Sequence, residues 1–165
     1  MLPSGCDAAY TLATAYGPGL TAFVAAMNAT AGRLGLAKTH FSDPSGLPDP
    51  GEYTTYSTAR DLISLGRDAM KLPVFRQVVA TRSYRVTAGA EHRAHTWKNL
   101  NMLLAGYSGA VGIKTGFTAV AGECLLFEAR RGGATLIGVV LRSSATDQDA
   151  PVRDATAMLN WGFSR

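Results

Sequence analysis

Three apolar runs of strand length follow one another between Ala110 and Ser143: "AVGIKTGF", "AGECLLFEARR" and "ATLIGVVLRS", the last two joined by the turn signal "RGG". Runs of this kind separated by glycine-bearing turns specify an antiparallel meander. Ile137, Val139, Val140 and Leu141 are nearly contiguous, which predicts a last strand covered on both faces. The first strand carries a lysine, Lys114, among neighbours that favour leaving water. A cation followed by a hydroxyl at Thr115 and by a residue without a side chain at Gly116 gives a strand edge that can seat a carboxylate.

The rest of the chain supplies helices to cover this sheet. Leu20, Phe23, Val24, Met27, Ala31 and Leu34 recur at three- and four-residue steps between Pro18 and Gly35, predicting a helix with a shorter one before it, from about Asp7 to Tyr16. "HFSDPSGLPDPGEYTTYS", from His40 to Ser57, holds three prolines and two glycines and predicts a long ordered loop. Ser57 or Thr58 is expected to cap a third helix reaching about Lys71. Past Pro73, "TRSYRVTAG" reads as a strand, and "HRAHTWKNLNMLL" as a returning strand that gives way to a short helix. "APVRDATAMLNWGF" places Val152, Ala155, Leu159 and Phe163 on one helical face, to lie across the sheet.

At 165 residues the chain has the size of one domain. Hydrophobic residues at 47% and charged residues at 17% exclude a disordered or fibrous chain. The net charge of +4 is spread among interspersed acids, which argues against a nucleic-acid stripe and leaves room for a basic cleft that takes a carboxylate. No apolar run reaches transmembrane length, and "MLPSGCDAAY" is not read as a signal peptide. Two cysteines, Cys6 and Cys124, allow one bridge and imply none. His92 and His95 lack further ligands and read as surface histidines, His40 as packing beside the long loop, and Trp97 and Trp161 as core. No metal or other cofactor is expected.

The triplet Lys114-Thr115-Gly116 is one of three elements of the penicillin-interacting serine enzymes. "PSGCDAAYTLA" resembles a second, the triplet segment of the low-molecular-mass penicillin-binding proteins, the serine D-alanyl-D-alanine carboxypeptidases. "FVAAMNATAGRLGL", "THFSDPSGLPDPGEYTTYSTARDL", "GIKTGFTAVAGECLL", "ATLIGVVL" and "LNWGF" look like that family too, in its order. The resemblance implies an α/β (α+β) fold of the β-lactamase and penicillin-binding-protein type: a partial peptidase domain, helical to about residue 109, with strands and a terminal helix after it. It implies a proton-shuttling role for Ser4. Lys114 and Thr115 would bind the terminal carboxylate of a peptidoglycan stem peptide or a β-lactam beside an open Gly116, and the Phe117 backbone N–H would supply half an oxyanion hole. It further implies a location outside the cytoplasmic membrane, and an assisting part for Arg153, where the match is poor.

Two departures qualify this. Cys6 stands where the family has asparagine, and a thiol is a poor hydrogen-bond partner. The family's nucleophile and base form a serine-x-x-lysine pair upstream of the first triplet, and no serine in this sequence has a lysine three residues later. The 165 residues are therefore expected to be inactive alone, with a non-catalytic binding module as the alternative and with another chain as one source of the missing half. Without the nucleophile helix, an exposed apolar surface and self-association are expected.

Overall fold

The computed structural model describes residues 1–47 and 54–165, which fall into two compact units, Gly5–Asp68 and Met1–Ser4 with Ala69–Arg165. The middle of the proline-rich loop lies outside the described residues.

The Gly5–Asp68 unit is helical. Helix α1 spans Cys6–Ala15, with Asp7 in its first turn, where a carboxylate complements the positive end of the helix dipole. Helix α2, Leu20–Arg33, ends where Gly35 adopts φ +69°, a left-handed conformation that glycine enters without a side-chain clash. Few large side chains are buried in this unit, and polar ties organise its loops. Asn28 donates to the Phe41 carbonyl (2.7 Å) and accepts from the Phe41 N–H (2.9 Å). His40 and Tyr56 exchange backbone hydrogen bonds of 2.9 and 3.0 Å, closing the long loop beside His40 as its sequence suggests. Helix α3, Ala59–Ala69, starts where the Thr58 hydroxyl accepts from the Asp61 N–H at 3.2 Å. Buried Asp61 in turn accepts from the Lys38 N–H (3.0 Å) and the Thr39 hydroxyl (2.8 Å).

The second unit is built on the meander. Helix α4 (Pro73–Ala80) leads to a hairpin of β1 (Ser83–Val86) and β2 (His95–Lys98), then a helical turn α5 (Leu103–Gly106). Strands β3 (Ala110–Thr118), β4 (Gly122–Arg131) and β5 (Ala134–Val140) form an antiparallel sheet in the order β3-β4-β5, and α6 (Ala150–Phe163) packs on β4 and β5. Alternation along β4 divides the core in two. Leu125, Phe127 and Ala129 join Leu103, Tyr107, Ala155 and Leu159 in one cluster, while Leu126 packs with Met70, Val79 and Ile113 in the other. Gly138 lies opposite Phe127, and a Cβ there would stand 2.4 Å from the phenyl ring, so glycine makes the space the largest core side chain fills. Glu128, buried on the same strand, accepts from Arg76 of α4 at 2.8 Å, with Arg130 at 3.4 Å, so the one charge in this core is compensated.

Three expectations need correction. Residues 73–80 form a helix that the sequence reading passes over. Strand β5 is exposed at Ala134 and Thr135, half-buried at Leu136, Ile137, Val139 and Val140 and buried only at Gly138, and Leu141 lies exposed beyond its end, so the strand is not covered on both faces. Trp161 is not core: it is 65% exposed, two residues and so about 200° around the helix from buried Leu159, with the Arg165 guanidinium 5.2 Å from its ring. Trp97 is half-buried.

Candidate active site

The candidate site is assembled within the meander unit from two segments 110 residues apart in the chain. Backbone pairing with β4 fixes Lys114 opposite Leu126, Thr115 opposite Leu125, Gly116 opposite Cys124 and Phe117 opposite Glu123. The other edge of β3 pairs with no strand among the described residues. Lys114 is half-buried. Its ammonium donates to the Ser4 hydroxyl at 2.7 Å and to the Thr115 carbonyl at 2.7 Å, with the Thr115 hydroxyl at 3.5 Å.

A short N-terminal turn holds Ser4. Its N–H donates to the Met1 carbonyl at 3.1 Å, and the Leu100 N–H donates to the Leu2 carbonyl at 3.1 Å, which ties the turn to the segment after β2. Ser4 itself has φ +56°, a left-handed conformation that is unfavourable for a residue with a Cβ and that recurs where geometry serves a site. Pro3 and the Ser4-Gly5 pair mark a turn in the sequence, but the left-handed backbone of Ser4 is not signalled there; serine is not among the residues that enter it readily.

Gly116 has an unremarkable backbone conformation and open surroundings: a Cβ placed there would meet nothing within 4 Å. Among the described residues neither packing nor backbone geometry requires glycine at 116, and the strand edge is open there. Phe117 follows, 53% exposed.

The remaining candidates lie elsewhere. Cys6 is the first residue of α1 in the helical unit, half-buried, and both cysteines are free, so no Cys6–Cys124 bridge forms in this structure. Arg153 is engaged by Asp147, to whose carboxylate it donates at 2.5 Å on the exposed loop before α6; this pairing holds Asp147 below its ordinary range and Arg153 above its own. His92 and His95 are exposed, and no group of metal-ligating side chains occurs among the described residues.

Residues 1–145 match the sequence model of the D-alanyl-D-alanine carboxypeptidase family of peptidases. The chain belongs to that family. It is 46% identical, over 99% of its length, to a D-alanyl-D-alanine carboxypeptidase of Streptomyces sp. (strain K15), of which it covers 58%. It is 39% identical to the Mycobacterium tuberculosis D-alanyl-D-alanine carboxypeptidase DacB2, covering 55% of that protein. The crystal structure of the Streptomyces K15 DD-transpeptidase superposes with a TM-score of 0.90 at 44% identity, all of this chain matching 65% of that one. The fold is therefore that of the penicillin-binding serine peptidases, and the chain spans less than two thirds of the relatives it matches. Solved variants of the Streptomyces enzyme include replacements of a cysteine by alanine and by asparagine.

Proposed function

We propose that these residues form the carboxyl-terminal, substrate-holding part of a peptidoglycan-processing D-alanyl-D-alanine carboxypeptidase domain that works outside the cytoplasmic membrane. The 2.7 Å hydrogen bond from Lys114 to Ser4 carries this reading. Side chains 110 residues apart meet at the lip of a strand whose outer edge is open among the described residues.

In this reading Lys114 and Thr115 receive the terminal carboxylate of a D-Ala-D-Ala stem peptide or of a β-lactam, a charge-assisted pairing. The peptide lies along the β3 edge, where Gly116 gives it room, and the Phe117 N–H points a hydrogen-bond donor at the developing oxyanion, a contribution worth about 3 kcal/mol per donor in other enzymes. The Ser4 hydroxyl accepts from the lysine and keeps its own proton to donate, so it can relay a proton toward the leaving amine. Cys6 stands where the family has an orienting amide, and a thiol is a weaker hydrogen-bond partner than an amide. The acyl-serine route also needs a nucleophilic serine with its lysine base, and no serine-x-x-lysine occurs in the 165 residues. Taken alone, they bind and do not acylate; the same absence favours a second reading, a module that recognises D-Ala-D-Ala ends reversibly.

Incubation with a fluorescent penicillin tests this. The 165-residue chain is expected to bind reversibly, to lose binding in Lys114→Ala, and to carry no label after denaturation. Covalent label on the wild-type chain would overturn the assignment of inactivity, and binding unchanged in Lys114→Ala would overturn the site. Adding a polypeptide that carries the serine-x-x-lysine half is the corresponding gain-of-function test: label is then expected on the added polypeptide.

A further inference from the structure

Asn99 lies outside the site described above, yet its hydrogen bonds lead to both partners of the Ser4–Lys114 pair. It is half-buried just after β2, and its N–H donates to the Arg82 carbonyl at 2.8 Å, continuing the hairpin ladder by one residue. Its side-chain nitrogen donates to the carbonyls of Val79 (3.2 Å) and Thr81 (3.0 Å) at the end of α4. Its side-chain oxygen accepts from the Asn101 N–H at 2.9 Å. Asparagine can make all three bonds because it carries two donors and an acceptor on one short stem.

Two routes run from this side chain to the pair, both within one compact unit. Along the first, the bond to Asn101 folds residues 99–101 into a turn whose Leu100 N–H donates to the Leu2 carbonyl at 3.1 Å, and the turn that starts at Met1 holds Ser4. Along the second, Val79 is buried against β3: a Cβ on Gly112 would stand 2.8 Å from its Cγ2, so α4 and the strand touch two residues before Lys114. A helix end needs donors for its last carbonyls, and Asn99 supplies them for stability alone. That account leaves the turn itself unexplained. Asn101 is 2% exposed and its Oδ1 accepts from the Leu103 N–H at 3.1 Å, but its Nδ2 is buried with no partner among the described residues. A buried donor left unpaired is unfavourable, as is the left-handed backbone of Ser4 further along the same route.

We propose that Asn99 is a positioning residue, which sets the 2.7 Å contact between the Ser4 hydroxyl and the Lys114 ammonium from outside the site. One amide fixes the turn that carries the hydroxyl and the helix end that abuts the strand carrying the ammonium, so the two partners share a single reference point. A hydrogen-bonded pair used for binding and proton relay depends on its geometry being held by such supporting contacts. The inference deepens the peptide-site reading above and rests on it only for the consequence at the ligand; the link from Asn99 to the pair stands on the hydrogen bonds and packing alone.

The Nζ resonance of Lys114, identified by its loss in Lys114→Ala, reads the pair without any ligand. Asn99→Ala is expected to move it in the same direction as Ser4→Ala does, and to weaken reversible penicillin binding at least fivefold. The near-isosteric Asn99→Asp keeps the acceptor for Asn101 and loses both donors, and is expected to move the resonance as well. Val152→Ala, which thins the packing of α6 on the sheet, lowers stability away from the pair and is expected to leave the resonance in place. In a Ser4→Ala background, Asn99→Ala should shift it less than in the wild-type background, because the two act through one contact. Full additivity would overturn the proposal, as would an unmoved resonance in both Asn99 variants with circular dichroism showing the fold retained, or an equal shift in Val152→Ala. A wild-type chain that binds no penicillin would remove the peptide-site reading, while the resonance would still decide the role of Asn99.

Discussion

Two residues of the candidate site are held by opposite logics, and each invites a substitution. Glycine at 116 is required by nothing among the described residues, so Gly116→Ala is expected to leave thermal stability unchanged or raise it by about 0.5 kcal/mol through the unfolded state, while weakening reversible penicillin binding at least tenfold. Equal binding in this variant would mean that no ligand uses the strand edge. Ser4, by contrast, is held at φ +56°. Ser4→Gly should recover about 1 kcal/mol of backbone strain, observable as a raised melting temperature, whereas Ser4→Ala should not. Both should relax the Lys114 ammonium, visible as a change at the lysine Nζ by NMR. The triplet Lys114-Thr115-Gly116 is ambiguous by itself, since an edge-strand lysine beside a glycine also has a plain structural use, and it points to a site only together with the other segments that resemble the family. The pairing with Ser4 was not legible from local pattern, since it depends on a long-range tie from Leu100 to Leu2 that carries no sequence signature; the family resemblance alone pointed to it.

At the scale of elements, legibility followed periodicity. Helix α2 and the three strands of the meander stand where their spacing predicts, because long segments with a single period admit one structure. Helix α4 escaped because "PVFRQVVA" is short and rich in β-branched valine, a composition that fits a strand as well; Pro73 at its first position was the one readable signal. Asp43 ties together the described ends of the long loop. Burial alone would raise the pKa of this carboxyl, but hydrogen bonds from the Ser45 hydroxyl (2.6 Å), the Ser45 and Gly46 N–H groups (both 2.7 Å) and the Thr55 hydroxyl outweigh it and hold the pKa below the ordinary aspartate range. A pKa lowered by folding means stability that is present above the unfolded value, near pH 4, and is lost as pH falls through the folded one. Asp43→Asn is therefore expected to destabilise the helical unit by about 1–2 kcal/mol at pH 7, with the gap to wild type closing as the pH falls below the ordinary aspartate range. A gap that stays constant in denaturation curves between pH 7 and pH 2.5 would rule this out.

At the scale of the molecule, the apolar surface is the dominant fact. In the meander unit Leu72, Val74, Leu100 and Met102 are each more than half exposed, and both outer strands have unpaired edges among the described residues. Open edges beside apolar side chains are templates for association. The purified 165-residue chain is expected to self-associate with concentration, and analytical ultracentrifugation that finds a monodisperse monomer with a sharp two-state melt would contradict this. Composition gave no warning, since 47% hydrophobic residues is ordinary for a soluble domain.

The boundary between the two compact units falls between Ser4 and Gly5. A hydroxyl and a thiol two positions apart in a single triplet thus belong to different bodies, and the hydroxyl travels with the ammonium. The 2.7 Å contact between Ser4 and Lys114 therefore lies wholly inside one body, independent of where the other one sits.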